Sequence, residues 1–146
     1  MTEEAFSTIY NKSLDLISRR EHSEKEVRDK LIKKFNEPDL IKLVTEKLIQ
    51  NNLINDERYA EMYVTIRKRK GFGPKRIAYE LSSKGINDSI SSITINEEGG
   101  WTEAAENVFN KKFKNGIAIE FKDKAKQKSF LQNRGFSFQQ IDSVFS

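Results

Sequence analysis

LDLISRREHSEKEVRDKLIKK, residues 14–34, and VTIRKRKGFGPKRIAYELSSK, residues 64–84, lie 50 positions apart and keep apolar residues on apolar residues. Leu14 falls on Val64, Leu16 on Ile66, Val27 on Ile77 and Leu31 on Leu81, while Arg19, Arg20 and Lys34 fall on Arg69, Lys70 and Lys84. FLQNRGF from Phe130 carries the register one period further, with Leu131 following Leu81, Arg134 following Lys84 and Gly135 following Gly85. Self-similarity at a fixed period marks a repeat architecture, so the organisation of the chain comes before any single element.

Each copy reads as three short helices. In the first, Phe6, Ile9, Tyr10, Leu14 and Ile17 recur at helical spacing, Ser23 with Glu26 forms a capping box ahead of Val27 and Leu31, and Pro38 opens a helix carrying Leu40, Ile41, Val44 and Leu48. In the second, Asn55 or Asp56 caps a helix with Tyr59, Met62, Tyr63 and Ile66 inside. Pro74 then opens one with Ile77 and Leu81 that stops at Gly85, and Ile86, Ile90 and Ile93 suggest the third. The third copy starts near Trp101 after EEGG, buries Ala105, Val108 and Phe109, and continues with helices around Leu131 and around Phe138, Ile141 and Phe145. SSITIN (91–96) is β-branched, and NGIAIEF (115–121) alternates like a strand, which makes a strand the competing reading there. The expected fold is all-α: three tandem three-helix repeats at 1–54, 55–97 and 98–146, sharing apolar surface in an elongated, curved array.

Composition narrows the function. The chain has 146 residues with no cysteine, which excludes disulfide and thiolate chemistry, and no apolar run long enough for a signal peptide or membrane span, so a cytoplasmic monomer is expected. The net charge of +4 is uneven: residues 66–84 hold seven cations against one anion. Surfaces are wetted better by mixed signs, so a single-sign cluster suggests an acidic or polyanionic partner.

Within that cluster, Arg67, Lys68, Arg69, Lys70, Lys75 and Arg76 surround Gly71-Phe72-Gly73-Pro74. Where the first copy starts its second helix with Ser23-Glu24-Lys25-Glu26, the second has Gly73-Pro74-Lys75-Arg76. Cations at a helix start oppose the dipole and Gly is a weaker cap than Ser, so the expectation is an anion site built from backbone N–H groups, Lys75 and Arg76. By helical angle from the Tyr59/Met62/Tyr63/Ile66 stripe, Lys68 points away from the core, Arg67 and Arg69 flank it and Lys70 snorkels. Neither GxxxxGK[ST] nor GxGxxG spacing is present, which disfavours nucleotide binding.

Tyr79 is the tyrosine expected at the surface; Tyr59 and Tyr63 belong to the apolar stripe, as do the seven Phe beyond residue 100. Arg19 and Arg20 in the first copy and Lys111, Lys112 and Lys114 in the third repeat the placement of cations at a first-helix end, predicting a secondary basic edge. His22 stands alone without a ligand set, so no metal is expected and a surface or capping role is assigned to it. No nucleophile, paired base or cofactor motif emerges, so no catalysis and no cofactor are expected.

SRREHSEKEVRDKL (18–31), NDERYAEMYVTIRKRKGFGPKRIAYELSSKGI (55–86) and FLQNRGFSFQQI (130–141), in this order and at these separations, resemble the RecX regulatory proteins of bacteria. The middle segment is the most specific: Asp56-Glu57-Arg58-Tyr59-Ala60, the basic run, Gly73-Pro74, Arg76-Ile77, Glu80-Leu81 and Gly85-Ile86. The resemblance implies a non-enzymatic modulator of the RecA recombinase that binds the RecA filament on DNA, and hence a role in recombination, repair and the SOS response. It leaves phosphates of single- or double-stranded DNA as a second contact. The alternative is a stand-alone DNA-binding protein of helix-turn-helix type, against which the third helices carry few residues able to read base edges.

Overall fold

Ser23 accepts a hydrogen bond from the Glu26 N–H while the Glu26 carboxylate accepts from the Ser23 N–H, and this capping box starts the second helix where the sequence places it. Asn55 caps the fourth helix by accepting from the Arg58 N–H, and Pro38 and Pro74 open the third and fifth. The computed structural model describes residues 2–146. Its elements are α1 (Thr2–Ile17), α2 (Glu24–Lys34), α3 (Pro38–Gln50), α4 (Asp56–Arg69), α5 (Pro74–Ser83), α6 (Asp88–Glu98), α7 (Trp101–Lys112), α8 (Phe121–Asn133) and α9 (Phe138–Phe145). Helices pack within the triplets α1–α3, α4–α6 and α7–α9, giving the all-α, three-by-three plan with no strand among the described residues.

The accessible surface is 9456 Å² for 17.0 kDa. A compact monomer of this mass exposes about 7,700 Å², so the units are strung out. Leu31, Leu81 and Leu131, one period apart, are all buried, as are Val27, Ile77 and Gln127. The buried apolar residues form two clusters. One belongs to the first unit, from Ile9 to Ile54, and the other runs through the second and third units from Tyr59 to Ile141. Shared apolar surface therefore joins units two and three, whereas the expectation of a shared core fails between units one and two, where polar residues meet.

The remaining differences are of phase and exposure. NGIAIEF forms no strand: Gly116 and its neighbours make a turn and Phe121 opens α8. SSITIN is helical; Ile86 and Ile90 face the core as read, but α6 buries Ser91 and Ile95 and leaves Ile93 exposed. In α4 the buried residues are Tyr59, Ala60 and Val64, and Ile66 is exposed. That rotation turns Arg67 and Lys68 inward and leaves Lys70 at the exposed C-cap, so Lys68 does not point away from the core and Lys70 does not snorkel. Two of the seven late Phe are not core: Phe121 is 86% exposed and Phe138 67%.

His22 is not at the surface. It is 2% exposed, with Nδ1 2.9 Å from the Arg20 carbonyl and Nε2 2.9 Å from Lys30 Nζ. The carbonyl needs a donor and the ammonium an acceptor, which assigns a neutral ring protonated on Nδ1. Burial, followed by the Arg20 and Lys30 charges, holds its pKa below the ordinary histidine value.

Candidate partner-binding face

The basic stretch is split by two carboxylates. Arg67 grips Glu80 with two hydrogen bonds, Nε to Oε1 and Nη2 to Oε2, both 2.9 Å. Tyr63 Oη donates to Glu80 Oε1 at 2.9 Å, and Arg76 Nε to Oε2 at 3.2 Å. Burial pushes the Glu80 carboxyl up, but the bonds from Arg67, Tyr63 and Arg76 outweigh it and hold it below the ordinary range. The Tyr63 phenol is pushed up to about 12 by burial and by that carboxylate. Lys68 pairs with Glu98 at 3.2 Å, donates to the Gly99 carbonyl at 2.8 Å and lies 5.3 Å from the Trp101 ring centroid. Arg67 and Lys68 thus clamp α4 onto α5 and onto the break before α7. Neither is a freely displayed charge.

Phe72 forms the centre of the arrangement. Three guanidinium carbons surround its ring centroid: Arg67 at 3.9 Å, Arg76 at 4.5 Å and Arg134 at 4.9 Å. Such contacts stabilise a cation while leaving its N–H groups able to bind outward. Arg134 also donates to the Lys70 carbonyl at 3.4 Å. It was not among the residues singled out from the sequence, although the repeat register pairs it with Lys84 and so marks its place.

The helix start at Gly73 is not an anion nest. Its N–H donates to the Arg134 carbonyl at 2.7 Å and the Lys75 N–H donates to the Gly135 carbonyl at 2.9 Å, so both are occupied by the next unit. A Cβ on Gly73 would lie 2.5 Å from the Gly135 carbonyl carbon and the Phe136 nitrogen. Glycine therefore stands where the first copy has Ser23 because two backbones touch there, and the weak cap follows from that packing.

Arg69, Lys70 and Lys75 lie exposed with no carboxylate at ion-pair distance among the described residues. A cleft of about 690 Å³ between the end of α4 and α7 gathers Arg69 and Lys70 with Lys111, Lys112 and Arg134, so the main and secondary basic groups become one surface across units two and three. On its other side Lys75, Arg76 and Tyr79 line a shallower concavity against Asn133 and Gly135, with Tyr79 77% exposed. Lys114 lies beyond the cleft in the turn after α7. Arg19 and Arg20 do not join it: Arg19 pairs with Asp15 and Arg20 with Glu26, within unit one. Among the described residues no cluster of three or more His, Asp or Glu could hold a metal, and no helix is long and apolar enough to cross a membrane.

Three domain models of one family match the chain in order: the RecX first three-helix domain over residues 10–48, the second over 55–92 and the third over 102–145. The chain belongs to the RecX family. Regulatory protein RecX of Pseudomonas tolaasii is 36% identical over 135 residues, covering 92% of this chain and 87% of that protein. Its counterpart in Vibrio vulnificus is 39% identical over 135 residues, covering 92% and 88%. The crystal structure of RecX from Lactobacillus salivarius matches with a TM-score of 0.86 and 31% identity over 98% of this chain and 96% of that one. In RecX terms, the Phe72 plate lies in the second domain, and the cleft opens between the second domain and the third.

Proposed function

We propose that this RecX-family chain is a non-enzymatic regulator that binds the RecA filament on DNA and lowers its activity, thereby modulating recombination, repair and the SOS response. The reading rests on the family. Its contact surface is the basic belt from Lys111 and Lys112 through Arg69, Lys70 and Arg134 to Lys75, Arg76 and Tyr79. The observation that carries the belt is the division of labour: Glu80 and Glu98 neutralise Arg67, Arg76 and Lys68, while Arg69 and Lys70 stay exposed on the cleft and Lys75 on the concavity beside it. Unpaired cations on a concave surface attract acidic side chains or phosphate. A stand-alone helix-turn-helix reader is disfavoured because α6 contains no Lys or Arg and α9 none either.

The test is inhibition of the DNA-dependent ATPase of RecA by wild type and by Arg69→Glu/Lys111→Glu, both on the cleft. We expect the wild type to inhibit and the folded double variant to need about tenfold more protein. Equal inhibition by the two proteins removes the belt from the proposal.

A further inference from the structure

Each joint of the array seats the end of one unit's second helix on the start of the preceding unit's second helix. The start of α2 at Ser23 receives the end of α5 at Lys84, and the start of α5 at Gly73 receives the end of α8 at Arg134. Among the described residues no corresponding helix end is seated on the start of α8. The structure is distinctive there. α8 begins at Phe121, three residues before the position 124 that the period from Glu24 and Pro74 assigns, and the turn before it runs over 113–120. This segment exposes Ile117, Ile119 and Phe121, with Ile119 97% exposed.

The turn is held in shape from inside the core. Val27 and Ile77 fill the same buried position in units one and two, and unit three has Gln127 there. Its Oε1 accepts from the Ala118 N–H at 3.0 Å and its Nε2 donates to the Gly116 carbonyl at 3.1 Å. A core position that is apolar in both other units is given to a carboxamide whose bonds go to this turn. Fixing an exposed apolar loop before binding lowers the entropy cost of docking it.

Charge selects the occupant. Residues 111–128 hold seven lysines against Glu120 and Asp123, and no ion pair holds Lys114, Lys122, Lys124 or Lys126 among the described residues. Glu120 lies between Ile119 and Phe121 and is exposed. A bilayer would bury that carboxylate beside its apolar neighbours, and a phosphate backbone, though drawn to the lysines, offers no apolar pocket for Ile117, Ile119 and Phe121. A protein surface can set carboxylates against the lysines and a donor against Glu120. A second copy of this chain fits poorly, because the matched end of α2 has Phe35 at φ −122° where the two seated ends have Gly85 at +81° and Gly135 at +100°. We infer that the exposed turn of unit three, Ile117 to Phe121, docks into an apolar pocket with a carboxylate rim on a different protein. This rests on the regulatory reading above, with RecA in its filament as that protein.

The experiment compares RecA ATPase inhibition by wild type, Ile119→Ser/Phe121→Ser and Gln127→Leu, with urea unfolding of each. The double variant should lose about tenfold in inhibition at unchanged stability, as expected for removed interface anchors. Gln127→Leu should unfold no more easily than wild type and lose about threefold, because only the loop is released. Wild-type inhibition with an undiminished double variant overturns the docking site and leaves the regulatory reading standing. Failure of the wild type to inhibit overturns both. Wild-type binding to anionic phosphatidylglycerol vesicles or to single-stranded DNA without RecA, lost in the double variant, overturns the protein occupant in favour of lipid or nucleic acid.

Discussion

At the joint between units one and two, Ser23 Oγ donates to the Lys84 carbonyl at 2.8 Å, the Glu24 N–H donates to Asp56 at 2.9 Å, and Arg58 meets Glu21 at 2.6 Å. At the matched place between units two and three, the backbones of Gly73 and Gly135 lie against each other and the apolar cluster is continuous across the joint. Residues in the same register thus make a polar hinge plate in one case and a close-packed weld in the other. A side chain at position 23 spans the gap that its absence at position 73 closes. The sequence difference first reads as a lost helix cap, and only the partner across the joint explains it.

The comparison breaks most readily at the glycines. Gly135→Ala meets both a left-handed φ of +100° and the Cβ and backbone nitrogen of Arg76, so we expect a loss of about 3 kcal/mol in urea unfolding. Gly85→Ala has φ +81° and meets the Lys25 Cβ at 2.6 Å but no backbone nitrogen or Cα across the joint, and should cost about half as much. Equal losses would mean that the two joints are packed alike. Exchanging the register residues gives an asymmetric effect. Gly73→Ser forces a Cβ into the Gly135 backbone and should cost about 2 kcal/mol, whereas Ser23→Gly loses one cap and one bridge and should cost about 1 kcal/mol, both read from thermal unfolding. A neutral Gly73→Ser would show the weld to be loose.

The smallest effect is confined to unit one and its polar joint. Folded His22 titrates below its unfolded value, so near and below pH 6.5 the unfolded chain takes up a proton that the folded chain refuses. Stability should therefore fall as pH drops from 7.5 to 5.5, and His22→Gln should flatten that part of the profile in thermal melts. The facing groups Arg20 and Lys30 stay charged throughout, and Glu26, with its pKa held down by Arg20 and Ser23 against burial, titrates below the window.

Much of the fold was legible because burial repeats with the period: Leu31, Leu81 and Leu131 needed no partner to be read. Phase was harder. Tyr59, Met62 and Tyr63 do face the core and Ile66 does not, and the stripe reading passes over Ala60 and Val64 because small and β-branched residues carry less weight in a hydrophobic pattern than in the packing itself. The cations of 66–84 were counted correctly but not their partners. One Glu80 holds two arginines and a tyrosine, and Glu98, outside the window, takes Lys68. Arg134 and Lys111 reach the same cleft from a unit whose upstream register is masked by the polar Gln127. His22 looked like a surface residue because its acceptor and donor are supplied by a backbone carbonyl and a lysine eight positions on.

The Ser23–Lys84 and Gly73–Arg134 bonds both join residues 61 apart, one period of 50 plus the 11 residues from the start of a second helix to its end. Unit two accordingly carries both halves of the joint, a socket at Gly73 and a plug at Lys84, 11 residues apart. Duplicating unit two would set the Lys84 end of one copy against the Gly73 start of the other, so the array would lengthen without a new kind of interface. The two joints show how differently one contact can be made, with side-chain hydrogen bonds at one and bare backbone at the other, while the spacing that makes it possible stays constant.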